Sequence, residues 1–145
     1  MINLDNLDNN IIEALRENGC IASTKLASKC SVNEGTIRKR IKKLINSGLL
    51  SINGLINPSL ISNKNVITVG IKVALSKDLI DVAKEIANIT EVHSVVIVSG
   101  RYDILIEVFI KTSEYADFLT QKLAKIKSIT STESFISLNC IKKWI

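Results

Sequence analysis

The spacing of apolar residues along this chain changes once, near residue 50, from a helical period to an alternation of strand and helix periods. Before the change, Leu7, Ile11, Ile12 and Leu15 form one stripe, closed by the stop signal Asn18-Gly19. Leu26 and Ala27 anchor a short second segment, running from near Ser23 to Cys30-Ser31. Asn33 is suited to cap a third helix. In it Ile37, Ile41, Leu44 and Ile45 recur at helical spacing until Ser47-Gly48. Helix, short helix, tight turn and helix is the order of a tri-helical helix-turn-helix.

After the change, residues 50–57 read as short extended pieces around a turn at Asn53-Gly54, where a wing would follow the helices. Pro58 and the polar run Ser62-Asn63-Lys64-Asn65 mark a linker. Ile67, Val69, Ile71, Val73 and Leu75 then alternate with polar or small residues, and Leu79, Val82, Ala83, Ile86 and Ala87 return to helix spacing. Residues 92–98 are almost continuously apolar, Gly100-Arg101-Tyr102-Asp103 reads as a turn, and 104–110 as a strand. Tyr115, Phe118, Leu119, Leu123 and Ile126 mark a second helix, and 129–138 a last strand. The order βαββαβ predicts a ferredoxin-like sheet with both helices on one face. The fold class is therefore α+β. A winged-helix-like helix-turn-helix domain spans 1–52, a linker with a short extended segment 53–65, and a ferredoxin-like domain 66–145. A length of 145 residues suits two small domains, and 46% hydrophobic content supports packed cores. With aromatics at 4%, those cores rest on Ile, Val and Leu.

Two helices cover one face of such a sheet. Yet Val95-Val96-Ile97-Val98 is apolar on both faces, and a half-solvated strand would alternate. A second copy of the sheet is the simplest cover, giving a two-fold dimer.

Charge is concentrated. The formal net charge is +5, and residues 38–43 carry five positive side chains in six positions. On a wheel of ~100° per residue, Lys39 lies almost opposite the apolar stripe of the third helix. Gly35, Asn46, Lys42 and Lys43 lie nearby, with Thr36, Arg38 and Arg40 flanking. Basic groups there can neutralise phosphates, and an arginine can grip a guanine edge. Glu34, Gly35, Thr36, Arg38 and Lys39 are placed nearest the groove of double-stranded DNA, with Glu34 able to accept from a cytosine amine. Lys42 and Lys43 are placed on phosphates. A solvated basic face is the alternative.

Other classes are weakly served. Cys20, Cys30 and Cys140 form no CxxC pair, and His93 is the one histidine, so no metal site is expected. No nucleophile–base pair or carboxylate dyad points to catalytic residues. The start has no secretory pattern and no stretch approaches the roughly 18 apolar residues of a membrane span. The expectation is a cytoplasmic protein with no cofactor and no membrane partner. His93 reads as incidental, and Trp144 as an anchor that packs the C-terminal tail.

The whole chain resembles the Lrp/AsnC (feast-famine) regulators. Leu4-Asp5-Asn6-Leu7-Asp8 with Ile11-Ile12 is similar to the family's opening. Leu26-Ala27, Asn33, Thr36-Ile37, Arg40-Ile41, Leu44 and Gly48-Leu49 follow its helix-turn-helix spacing. Gly100-Arg101-Tyr102-Asp103 resembles its effector turn, and Thr132 and Ser134 its hydroxyl pair in the last strand. The resemblance implies DNA-binding transcription regulation and a homodimer through the sheets, built up to tetramers or octamers. It also implies a free amino acid as effector. By position, the effector residues it implies are Ser99, Gly100, Arg101, Tyr102, Asp103, Thr132 and Ser134. Asp103 would accept from the ammonium, with Arg101, hydroxyls and backbone amides donating to the carboxylate.

The chain departs from the family pattern at Arg101, where an acid or Asn is usual, and at Cys20, where Arg is common. Ser128 stands where glycine is usual, and Ala22 replaces a hydroxyl helix cap, leaving Ser23 for that role. The same turn also has a purely structural reading. Gly100 permits positive φ, Asp103 closes the turn by a side-chain hydrogen bond, Tyr102 is an interface aromatic, and Thr132 and Ser134 are strand residues. Two other functions fit the two-part architecture: an effector-independent architectural DNA binder, and an enzyme like the haem-biosynthesis decarboxylases.

Overall fold

The computed structural model describes residues 3–74 and 78–145. Leu75, assigned above to the first strand, lies outside them. The chain divides into Met1–Gly54 and Leu55–Ile145.

The first unit is three helices: α1 (Asn6–Glu17), α2 (Ser23–Cys30) and α3 (Glu34–Asn46). Asp5 and Asp8 form a reciprocal capping box at α1, where the Asp8 amide donates to Asp5 at 2.9 Å. Asn33 caps α3 by accepting from the Thr36 amide at 2.8 Å. At α2 the expectation for Ser23 is corrected. Ser23 is the first helical residue, Ala22 is the N-cap, and no side chain among the described residues caps the end. Ile11, Leu15, Leu26, Ala27, Ile37 and Leu44 close the core. Each of the larger ones contributes about 1.5–3 kcal/mol by burial. Ile45 stays 42% exposed, so the inward stripe of α3 is narrower than its apolar pattern.

Residues 50–57 form no hydrogen-bonded hairpin. A type I′ turn at Asn53-Gly54 needs positive φ at both central residues, and neither has it. Instead Asn53 Nδ2 donates to Ser51 Oγ at 2.6 Å.

In the second unit the sheet order is β2-β3-β1-β4, antiparallel throughout, from β1 (Lys64–Val73), β2 (Val92–Ile97), β3 (Ile104–Lys111) and β4 (Ile129–Ile136). Helix α4 (Leu79–Ala87) and a composite helix over 112–125 cover one face, as the βαββαβ order predicts. The composite helix starts with a 3₁₀ turn (Thr112–Glu114), then α5 (Tyr115–Asp117). A π-helical stretch (Phe118–Lys122) and a second 3₁₀ turn (Leu123–Lys125) follow. Its buried residues explain the irregularity. Tyr115, Phe118, Leu123 and Ile126 all reach the core, and the five-residue step from Phe118 to Leu123 matches a π-turn, not an α-turn.

The other sheet face is partly apolar. Val66 and Phe109 are buried on it, while Val96 is 50% and Phe135 47% exposed. Lys143 reaches Glu107 at 2.6 Å, and Ile145 exchanges two backbone hydrogen bonds with Ile56. Those contacts hold the C-terminal tail. Trp144, expected to anchor it, is 59% exposed.

Candidate functional site

The capped start of α3 fixes the direction of its side chains. Ile37 and Leu44 face the core, so Gly35, Arg38, Lys39, Lys42 and Lys43 are left on solvent, with Thr36 partly exposed. Thr36 Oγ1 donates to Asn33 Oδ1 at 3.0 Å, so this hydroxyl belongs to the cap. Glu34 and Arg38 are joined one turn apart at 2.5 Å. Their carboxylate and guanidinium are presented as a pair. Lys39, Lys42 and Lys43 enter no ion pair among the described residues.

Arg40 points elsewhere. Its Nη1 lies 2.5 Å from Asp5 Oδ2 and 3.0 Å from Asp8 Oδ1, and Asp8 is buried at 2% exposure. The Asp8 amide and then the Arg40 guanidinium hold the Asp5 carboxyl below the usual carboxylate range. Asp5, followed by Asp8, raises Arg40 in return. Three residues from Ile37, Arg40 sits only ~60° from the apolar stripe, the geometric reason for its inward turn. Asp5 and Asp8 belong to the opening motif, and their spacing as a capping pair is the signal in the sequence for an acidic receptor.

The residues that the resemblance implies for an effector fall on two sides of the sheet. Gly100 has φ +135, the left-handed region that glycine tolerates. The Asp103 amide donates to the Ile71 carbonyl at 2.9 Å, and its Oδ2 accepts from the Val73 amide at 2.8 Å. Asp103 thus lashes the turn to β1. Arg101 pairs with Glu133 at 3.2 Å and stacks 5.5 Å from the Tyr102 ring centre. Tyr102 lies on Gly70, meets Phe135 edge-on at 6.3 Å, and has a buried hydroxyl with no partner among the described residues. Ser99 is exposed beside them.

Strand alternation puts Thr132 and Ser134 on the opposite, helix-covered side, since their partners Ile71 and Val69 are core residues. Ser134 Oγ lies 2.6 Å from the Tyr115 hydroxyl, and burial raises that phenol's pKa against the pull of this bond. Thr132 borders a cavity of about 430 Å³. Glu133, the partner of Arg101, was not singled out by sequence. Its signal was parity: it lies between two candidate residues, facing the other way.

Among the described residues no group of three or more His, Cys, Asp or Glu side chains is placed to hold a metal. Among the same residues no helix is long and apolar enough to cross a membrane.

The family model described as the Lrp/AsnC ligand binding domain matches residues 66–143, and a winged helix-turn-helix DNA-binding model matches residues 4–51. An HTH-type transcriptional regulator of Pyrococcus furiosus is 36% identical over 143 residues, covering 97% of this chain and 95% of its own. The structure of Escherichia coli AsnC has a TM-score of 0.74 at 27% identity, with 98% and 97% of the two chains covered. A transcriptional regulator of Neisseria meningitidis, solved as a complex with L-Met, has a TM-score of 0.75 at 22% identity, covering 97% and 94%.

Proposed function

The chain belongs to the Lrp/AsnC family of transcriptional regulators, and we propose that it acts through α3 lying in the major groove of double-stranded DNA. The observation that carries this reading is the row of exposed basic groups, Lys39, Lys42 and Lys43, opposite the buried Ile37 and Leu44. Arg38 and Glu34 would meet base edges from the helix's N-terminal half, with Gly35 and Thr36 letting the backbone approach. Lys42 and Lys43 would meet phosphates. The pairing of Arg40 with Asp5 and Asp8 favours a positioning role for it over DNA contact.

The second unit would pair protomers through the sheet face that leaves Val96 and Phe135 half-exposed. Two α3 helices would then reach successive major grooves of a roughly palindromic operator. Tetramers or octamers are the further assemblies proposed. The working place is the cytoplasm, with the DNA, and no catalytic step is part of this reading. Selection of bound genomic fragments by the purified protein tests it: enrichment of one palindromic motif is expected, and uniform recovery would overturn it.

The effector proposed is a free amino acid, on the strength of the ligand-binding family match. The L-Met complex of the N. meningitidis fold relative makes L-Met the first probe. One observation favours a second reading, regulation without an amino acid. Arg101 is already paired with Glu133, and Asp103 with the Val73 amide. Gel mobility and thermal shift across an L-amino-acid panel separate the two; a response to any member favours the first.

A further inference from the structure

Glu34 is the only acid of α3, standing on an exposed face with Arg38, Lys39, Lys42 and Lys43. The dipole of the helix favours a carboxylate at its N-terminus, which accounts for an acid there but not for its pairing with Arg38. In a DNA groove the same carboxylate is repelled by phosphates, and it is tolerated where it accepts from a base amine. The amines of the major groove are cytosine N4 and adenine N6. Adenine sets its N7 acceptor beside N6, against a carboxylate, whereas cytosine carries no acceptor on its own major-groove edge.

The contact joins Glu34 Oε1 to Arg38 Nη2 at 2.5 Å, with the two side chains 37% and 71% exposed. A guanidinium has five N–H donors, two of them on Nη2. Glu34 takes one proton of Nη2. The other, with Nη1, still forms the end-on fork that fits guanine O6 and N7. Glu34 Oε2 enters no hydrogen bond among the described residues. With Nη2 on guanine O6, that oxygen is carried toward the amine of the paired cytosine, which lies next to O6 across the base pair. With Nη2 on N7 it is carried toward the phosphates, the unfavourable side. The ion pair therefore selects one of the two orientations of the fork. It also holds a long side chain in place before DNA arrives, so less freedom is lost on binding.

We infer that Glu34 and Arg38 act as one unit that reads a single G·C base pair from both strands. Arg38 takes guanine O6 and N7, and Glu34 takes the N4 amine of the paired cytosine. Gly35, exposed beside Glu34, puts no side chain between the helix start and the bases. The inference rests on α3 lying in the major groove. To that reading it adds the base pair recognised, and it makes Glu34 a specificity-determining residue and not merely a helix-terminal acid.

The full chain first selects its operator from a random duplex pool, and each half-site is expected to hold one strongly preferred G·C pair. Binding is then measured with 7-deazaguanine at that guanine, which removes N7, or with N4-methylcytosine at its cytosine, which replaces the amine proton left outside the base pair. Each modification is expected to weaken the parent by about tenfold. Glu34→Ala is expected to lose sensitivity to N4-methylcytosine, to keep sensitivity to 7-deazaguanine, and to prefer G·C over A·T about tenfold less than the parent. Arg38→Ala is expected to be insensitive to both modifications. Binding of each variant to scrambled duplex shows that it is folded. A motif without such a pair, a parent indifferent to N4-methylcytosine, or a Glu34→Ala variant with the parent's base preference would each overturn the inference. Where Lys42→Ala and Lys43→Ala still flatten the salt dependence, those results leave α3 in the groove. Where both lysine variants bind as the parent does, the placement of α3 falls and the inference falls with it.

Discussion

Arg40 holds the buried carboxylate of Asp8 at 3.0 Å, joining the middle of α3 to the capped start of α1. A charge on the basic helix is thereby spent inside its own domain, fixing how α3 leans on α1. Asp8, at 2% exposure, is out of reach of a DNA phosphate. Arg40→Ala and Asp8→Asn should therefore weaken operator binding alike, and both should lower the melting temperature. Neither should change the slope of log K against log salt, which counts phosphate contacts. A slope reduced by about one for Arg40→Ala alone would make Arg40 a phosphate ligand after all. Arg40→Lys should recover part of the affinity by restoring a cation to Asp8.

The exposed lysines predict the opposite pattern. Lys42→Ala and Lys43→Ala should each lower affinity for every DNA sequence and flatten the salt slope by about one. Arg38→Ala should cost about 1–3 kcal/mol on the specific site and relax preference at one base position. Filter binding on specific and scrambled duplexes at four salt concentrations separates these outcomes. Equal losses of slope for all three would put Arg38 among the phosphate contacts.

The division of the chain was legible because the two units bury apolar residues with different periods. The helix of Ile37 and Leu44 and the strand of Ile67, Val69 and Ile71 both follow their pattern into the core. Side-chain partners across the chain were not legible. The helical wheel sets Arg40 nearer the apolar stripe than Lys39, but it does not name the acceptors, which lie 32 and 35 positions away. Parity between Thr132 and Ser134 gives the side on which Glu133 faces, but only register across β1 and β4 brings it to Arg101. The π-turn was visible only as the odd step between Phe118 and Leu123. Trp144 shows the limit of composition: a large apolar ring raised the expectation of packing, yet Lys143 and Ile145 hold the tail instead.

Gly70 is the support on which Tyr102 rests. A Cβ at Gly70 would meet three ring atoms of Tyr102 at 2.7–2.8 Å, closer than carbon atoms approach. Gly70→Ala should destabilise the sheet unit by about 1–3 kcal/mol, the usual cost of overpacking. Tyr102→Ala removes the obstruction, so the double variant should lose less than the sum of the singles. A denaturant-unfolding cycle measures the coupling. Strict additivity would mean that the ring is not seated on Gly70.

Acid should weaken the chain through its paired carboxylates. The folded Asp5 carboxyl is held below its ordinary value by the Asp8 amide and Arg40, and Glu91 is held down chiefly by Lys122. A carboxylate with a lowered folded pKa releases its proton more readily folded than unfolded. Its contribution is complete above the unfolded value, roughly pH 4, and is lost as pH falls through the folded one. Parent and Asp5→Asn should therefore differ in melting temperature at pH 7, and that gap should close toward about pH 3 as the parent's own Asp5 takes up its proton. Circular-dichroism melts of both proteins across this range read the gap directly. A gap that stays constant down to pH 3 would mean that Asp5 acts through its shape as a cap and not through its charge.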